Sequence, residues 1–118
     1  MLRERLRGVP GYVWLIERGI FGTAPNTAMA PWYFLPRGEV FSASERWPRA
    51  DEPRDLIVFA RRQDNDDLAC AAFDGERFVE VALLHGWTPE GYARLAGYPT
   101  LWAWWKAVID DVAECAER

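Results

Sequence analysis

The chain has one histidine, two cysteines and fewer basic than acidic residues, and each scarcity removes a class of function. A single histidine, His85, excludes a multi-histidine metal site, and no cysteine or acid stands at ligand spacing around it. Cys70 and Cys115 are too few and too far apart for a disulfide scaffold or a zinc knuckle. The longest apolar stretch, Leu101 to Ile109, is broken by Lys106 and falls well short of the roughly 20 residues a bilayer-spanning helix needs, so no membrane association is expected. Met1-Leu2-Arg3-Glu4-Arg5 offers no apolar signal segment, which predicts a cytoplasmic protein. Fourteen bases against 18 acids leave a net charge of −4. The closest basic cluster, Arg3, Arg5 and Arg7, is interleaved with Glu4 and Leu6, so there is no stripe to displace counterions from a nucleic acid. The acidic excess favours solubility and suits a basic protein partner. Gly8, Gly11, Gly19 and Gly22 match neither phosphate-cradling glycine pattern.

What the chain does hold is tryptophan: seven in 118 residues. A chain of this length forms one domain and buries roughly two-thirds of the surface exposed when unfolded. Some of the tryptophans must therefore build its core. The expected architecture is α+β, with a mainly antiparallel sheet packed by helices.

Residues 2–7 fit one or two helical turns before Gly8. Tyr12, Val13, Ile16 and Ile20 fall at helical spacing after Pro10, although the β-branched and aromatic density over Tyr12–Ile16 also fits a strand. Residues 22–31 read as an irregular loop, and Trp32-Tyr33-Phe34-Leu35 between two prolines as an edge strand. Val40 to Trp47 fits a short helix stopped by Pro48, and the charged, Pro-broken residues 48–55 a surface loop. Leu56–Ala60, Leu68–Phe73 and Phe78–Leu84 are apolar runs of strand length separated by turn-like residues, a three-stranded antiparallel meander over 56–84. In the last run Val79, Val81 and Leu83 alternate with residues facing the other way, Phe78 among them. Gly86, Pro89, Gly91 and Gly97 then predict a loop. The closing helix spans 99–117, with Leu101, Trp105, Val108, Val112 and Cys115 in one stripe, which makes Trp105 a core residue and leaves Trp104 at the stripe's edge.

Candidate chemistry is sparse. The turn Asp64-Asn65-Asp66-Asp67 has the acid density of a calcium loop, but Ala69 and Gly75 stand where an EF-hand needs glycine and glutamate. It reads as a solvated hairpin turn that could present charge to a partner. Ser42 and Ser44 lie in no nucleophile elbow. Cys70 reads as a small strand residue, Cys115 as helix core, and His85 as a strand-end residue with a structural hydrogen bond. Asp110 and Asp111 fall on the solvated side of the last helix; Asp51, Glu52 and Asp55 pair with Arg49 and Arg54. No catalytic set, cofactor site or metal site is expected. Trp87 and Tyr92, in a Gly/Pro loop, are the residue types enriched at binding hot spots, and Trp104 is a candidate for the same surface.

Several of these segments, in this order, resemble the SUKH superfamily, which joins a fungal cell-wall-synthesis regulator to bacterial immunity proteins. The resemblance rests on Trp32-Tyr33-Phe34-Leu35, Leu56-Ile57-Val58-Phe59-Ala60, the acidic turn leading into Leu68-Ala69-Cys70, Val79 to His85, and the aromatic closing helix. It covers about three-quarters of the chain, from Trp32 onward. Asp66 stands where the family's turn usually carries glycine, and residues 1–31 lack the family's opening helix pattern in clear form. The resemblance implies an α+β fold and a non-enzymatic role: binding and neutralising a cognate toxin, often a nuclease. A regulatory domain with another protein partner is the alternative, and a small enzyme using Cys70 or His85 a third reading. The expected contact residues are Asp64, Asn65, Asp66, Asp67, Trp87, Tyr92 and Trp104.

Overall fold

The architecture is that of a computed structural model describing residues 2–36, 38–48 and 51–117. Two short helices, α1 (Leu2–Leu6) and α2 (Tyr12–Glu17), lead into strands β1 (Trp32–Phe34) and β2 (Phe41–Ser42) and a one-turn helix α3 (Ala43–Arg46). Then follow β3 (Asp55–Arg62), β4 (Asp67–Asp74), β5 (Arg77–Thr88), β6 (Gly91–Tyr98) and the closing helix α4 (Leu101–Ala116). The sheet is antiparallel, in the order β1-β3-β4-β5-β6. β1 and β2 share one flank of β3: Phe34 pairs with Ala60, and Phe41 with Val58. No helix of the described residues is long and apolar enough to cross a membrane.

The α+β class, the meander, the edge strand at β1 and the long C-terminal helix agree with the sequence. The segment read as a loop after Leu84 does not. β5 continues to Thr88, turns through Pro89-Glu90, and returns as the eight-residue β6. The glycines that suggested a loop serve close packing instead. A Cβ on Gly91, at φ +103°, would lie 2.9 Å from Cβ of Trp47, and one on Gly86 3.1 Å from the far end of the same indole. Two strand glycines thus make the seat for one tryptophan. The stretch read as a helix from Val40 divides likewise into β2 and α3.

β3 and β4 are covered on both faces, which is why they read as continuous apolar runs. One face meets α1, α2 and α4 through Leu6, Leu15, Phe21, Phe34, Phe59 and Trp104. The other carries Leu56, Val58, Cys70, Ala72, Ala82 and Leu84 beneath β2 and α3. A register shift after Ala72 inserts an extra residue in β5, so Phe78 pairs with Phe73 on the helical side rather than facing away from it. Simple alternation assigned Phe78 to the wrong face, because a bulge reverses the parity.

α4 begins two residues later than Pro99 suggested, because Thr100 caps it: its hydroxyl accepts the Ala103 backbone N–H at 3.0 Å. Its buried ridge is Leu101, Trp104 and Val108. Trp104 is therefore central, not marginal: 1% exposed, with ring centroids 5.5 Å from Phe21, 5.5 Å from Trp32 and 5.3 Å from Phe59. Trp105 is only partly buried, and its indole nitrogen, cut off from solvent, has no hydrogen-bond partner. Steps of three and four along a helix lie on nearly the same face. The aromatic cradle selects the ridge that starts with a three-residue step.

Candidate functional site

The acidic turn between β3 and β4 is held by its own neighbourhood. Asn65 accepts the Asp67 backbone N–H at 2.8 Å, closing the turn locally. Successive residues of β3 point to opposite faces, so Arg61 and Arg62 serve two different sides of the molecule. Arg62 donates from Nε to Asp64 at 2.6 Å and lies 3.4 Å from Asp111 on α4. The Asp64 hydrogen bond holds the Arg62 guanidinium above its ordinary range despite partial burial. Asp111, read from sequence as merely solvated, also accepts the Trp32 indole N–H at 2.9 Å. It ties the turn and the edge strand to the closing helix. Arg61 stands 3.8 Å from Asp66, and His85 Nδ1 donates to Asp67 at 2.9 Å. Each acid of the turn therefore has a basic neighbour, and the turn is not an open negative patch. Among the described residues no group of three or more His, Cys, Asp or Glu could hold a metal ion.

Around the corner from the turn is Trp87. The register passes from Gly86↔Tyr92 directly to Thr88↔Gly91, so Trp87 is the extra residue of a bulge. Its φ is +56°, a left-handed conformation that a non-glycine residue adopts at a cost of about 1 kcal/mol or more. The bulge re-aims the side chain and leaves the indole 42% exposed. Underneath, its ring meets Trp47 edge-on at 5.2 Å, and Trp47 in turn packs on Tyr92 at 5.9 Å. The Arg61 guanidinium lies 4.6 Å from the Trp87 ring centroid and that of Arg46 6.0 Å, with Arg46 also over Phe41 at 4.2 Å. Beside them opens a groove of about 320 Å³ with Leu35, Phe41 and Leu68 among its apolar lining and Arg46, Arg61 and Trp87 among its walls.

Of the residues selected from sequence, Asp66 and Trp87 are brought together, with Arg61 between them. Asp64 and Asp67 lie on the same turn but engage Arg62 and His85. Tyr92 supports this corner from below at 5% exposure and presents little surface of its own. Trp104 belongs to the opposite face of the sheet and cannot share a surface with Trp87. Sequence reading missed Arg46, Arg61 and Trp47. Strand parity carried a signal for Arg61, since adjacent arginines at a strand end must diverge; Arg46 and Trp47 depend on how β2 and α3 fold back over the sheet.

The residues of the enzyme reading are separated. Cys70 faces Ala82 across the β4–β5 ladder, whereas His85 faces Asp67, and their parity sends them to opposite faces. Burial also pushes the Cys70 thiol far above its ordinary range, which suppresses the nucleophilic thiolate. The Ser42 and Ser44 hydroxyls bond one another at 2.9 Å.

Two further surface features flank this architecture. Arg54 joins Glu52 at 3.1 Å and Glu80 at 2.5 Å, and Arg94 reaches the same Glu80 oxygen at 2.7 Å. The hydrogen bond from Arg54 holds the Glu52 carboxyl below its ordinary range. At Glu80 burial pushes upward, and the bonds from Arg54 and Arg94 together outweigh it, so that carboxyl too is lowered. On the helical side, Trp14 of α2 and Trp102 of α4 meet edge-on at 5.8 Å, both more than a third exposed. No protein-family model, curated protein or solved structure matches the chain, so its chemistry is read from this geometry.

Proposed function

We propose that this chain is a non-enzymatic protein-binding domain whose partner docks on the Trp87 corner, and that its role is of immunity type: neutralising a cognate toxin by binding it. The observation that carries the binding reading is Trp87 itself. A large aromatic ring is held in water on a strained bulge, braced from below by Trp47 and flanked by Arg61 and Arg46. Tryptophan and arginine are the types that dominate binding hot spots, and a braced indole loses little conformational freedom on docking. The separation of Cys70 from His85 supports a non-enzymatic reading. The immunity role rests on the resemblance to the SUKH superfamily in the strands, the acidic turn and the closing helix.

The test is a binding measurement between the purified chain and the product of the adjacent gene. Trp87→Ala should weaken binding by at least tenfold, the loss expected of a hot-spot residue, while leaving the thermal midpoint nearly unchanged. Unchanged affinity would move the interface elsewhere. A neighbouring product without toxic activity would remove the immunity role and leave the binding surface to be assigned to another partner.

A further inference from the structure

The groove beside Trp87 has a chemistry that the acidic composition of the chain does not anticipate. The chain carries a net charge of −4, yet two guanidinium groups lie over the Trp87 ring, Arg61 at 4.6 Å and Arg46 at 6.0 Å from its centroid. Arg46 is exposed and forms no ion pair among the described residues; it only stacks on Phe41 and Trp87. Arg61 has one acidic neighbour, Asp66, at 3.8 Å, too long for a hydrogen bond. That carboxylate is half exposed, so the pair contributes little and a better-placed acid can displace it. The remaining acid of the groove, Glu39, is exposed on its lining and repels an incoming anion only through water. Against these charges lies an apolar lining from Leu35, Phe41 and Leu68, in a volume of about 320 Å³ suited to one or two large side chains.

We propose that this groove binds an acidic peptide segment of the partner, a carboxylate side chain adjoining a large apolar residue. The carboxylate would sit between Arg46 and Arg61, where a guanidinium can donate two parallel N–H bonds, and the apolar side chain would pack on the groove's apolar lining against Trp87. Cations stacked on an indole are oriented in advance, which lowers the entropy lost when they engage the acid. This inference rests on the protein-binding reading above and makes it more specific. The two guanidinium groups over Trp87 set what docks there, and the segment they select is acidic even if the partner as a whole is not.

The experiment uses the full chain, labelled with nitrogen-15, titrated with the end-capped peptide acetyl-Gly-Phe-Glu-Phe-Gly-amide and followed at the Trp87 indole N–H. Saturable shifts confined to Trp87 and the residues of the groove are expected. Replacing Glu by Gln in the peptide should weaken binding about tenfold, the scale of a charge-assisted hydrogen bond. Arg46→Glu should do the same, as should Arg61→Glu. Both sites are at least partly exposed, so these variants should keep the native spectrum elsewhere. Should Arg61→Glu perturb folding, Arg46→Glu alone decides. Equal affinity for the Glu and Gln peptides, or equal shifts with inorganic phosphate alone, would overturn the proposal. So would peptide shifts centred on Trp14 and Trp102. If Trp87→Ala abolishes binding of the protein partner but Arg46→Glu with Arg61→Glu does not, the acidic-segment inference fails while the docking surface stands.

Discussion

The two faces of the sheet are built from different materials. Toward the helices, Phe21, Phe34, Phe59, Trp32 and Trp104 form one continuous aromatic block, with Phe21 and Phe34 stacked at 4.3 Å. Toward β2 and α3 the strands present aliphatic and small side chains, Leu56, Val58, Leu84, Cys70, Ala72 and Ala82, and the cover is a two-residue strand and a four-residue helix. The first face buries large rings and holds the fold. The second is shallow, so its tryptophans, Trp47 and Trp87, must lie across small residues and glycines rather than sink between helices. That shallowness is what leaves a groove and an exposed indole there. The same residue type stabilises one face and equips the other for contact.

The strongest way to break this contrast is to remove the centre of the aromatic block. Trp104→Ala should destabilise the domain by about 3–5 kcal/mol, enough to unfold much of it, as read by urea denaturation. Trp105→Ala should be clearly milder, because that ring is only partly buried and its removal also relieves an indole nitrogen left without a partner. Were Trp105 the costlier loss, the ridge assigned to α4 would be wrong.

An intermediate effect is expected from acid, at the ion-pair cluster of the shallow face. Glu52 and Glu80 have carboxyl groups held below their ordinary range, chiefly by hydrogen bonding from Arg54 at Glu52, and at Glu80 by Arg54 and Arg94 against burial. Their stabilisation is therefore fully present above the ordinary glutamate value of 4.5 and is lost as pH falls through their lower folded values. The urea midpoint should drop below pH 4.5, and Glu80→Gln should lower stability at pH 7 while flattening that decline. A decline equally steep in the variant would assign acid sensitivity to other carboxylates.

The smallest effect concerns Trp87. Trp87→Ala should change stability by less than about 1 kcal/mol, since the residue is 42% exposed and its truncation also eases the left-handed bulge. Trp87→Gly should be the more stable of the two variants by up to about 1 kcal/mol, because glycine adopts a φ of +56° without strain. If alanine proved the better substitute, the left-handed bulge would not be what holds the ring outward.

Much of the fold was legible where one physical signal dominated. The apolar runs of β3 to β5 and the charged turns between them specify a meander, and the prolines around Trp32 specify an edge. The helical stripe from Leu101 was legible as a stripe but not in its rotation. Trp104 and Trp105 are adjacent, and only the cradle of Phe21, Trp32 and Phe59 distinguishes them. β6 was missed because Gly86 and Gly91 resemble loop residues until Trp47, distant in sequence, is seen packed against them. The surface was legible in part: Trp87 stood out by type and context, whereas the charges beside it did not. An acidic turn in sequence became one with a partner beside each acid in space, because Arg61 and Arg62 of β3 and His85 of β5 lie next to it.

Cys70 supplies a consequence of a different kind. Its thiol lies fully buried in β4, a central strand flanked on both sides, and desolvation raises its pKa far above the ordinary thiol range. Fraying of the chain ends or of the hairpin turns does not bring it to solvent; the short cover of β2 and α3 has to lift, or the meander has to come apart. An alkylating reagent therefore finds this sulfur only in molecules that have opened on this face or as a whole, and the rate of labelling at Cys70 is a clock that counts those openings.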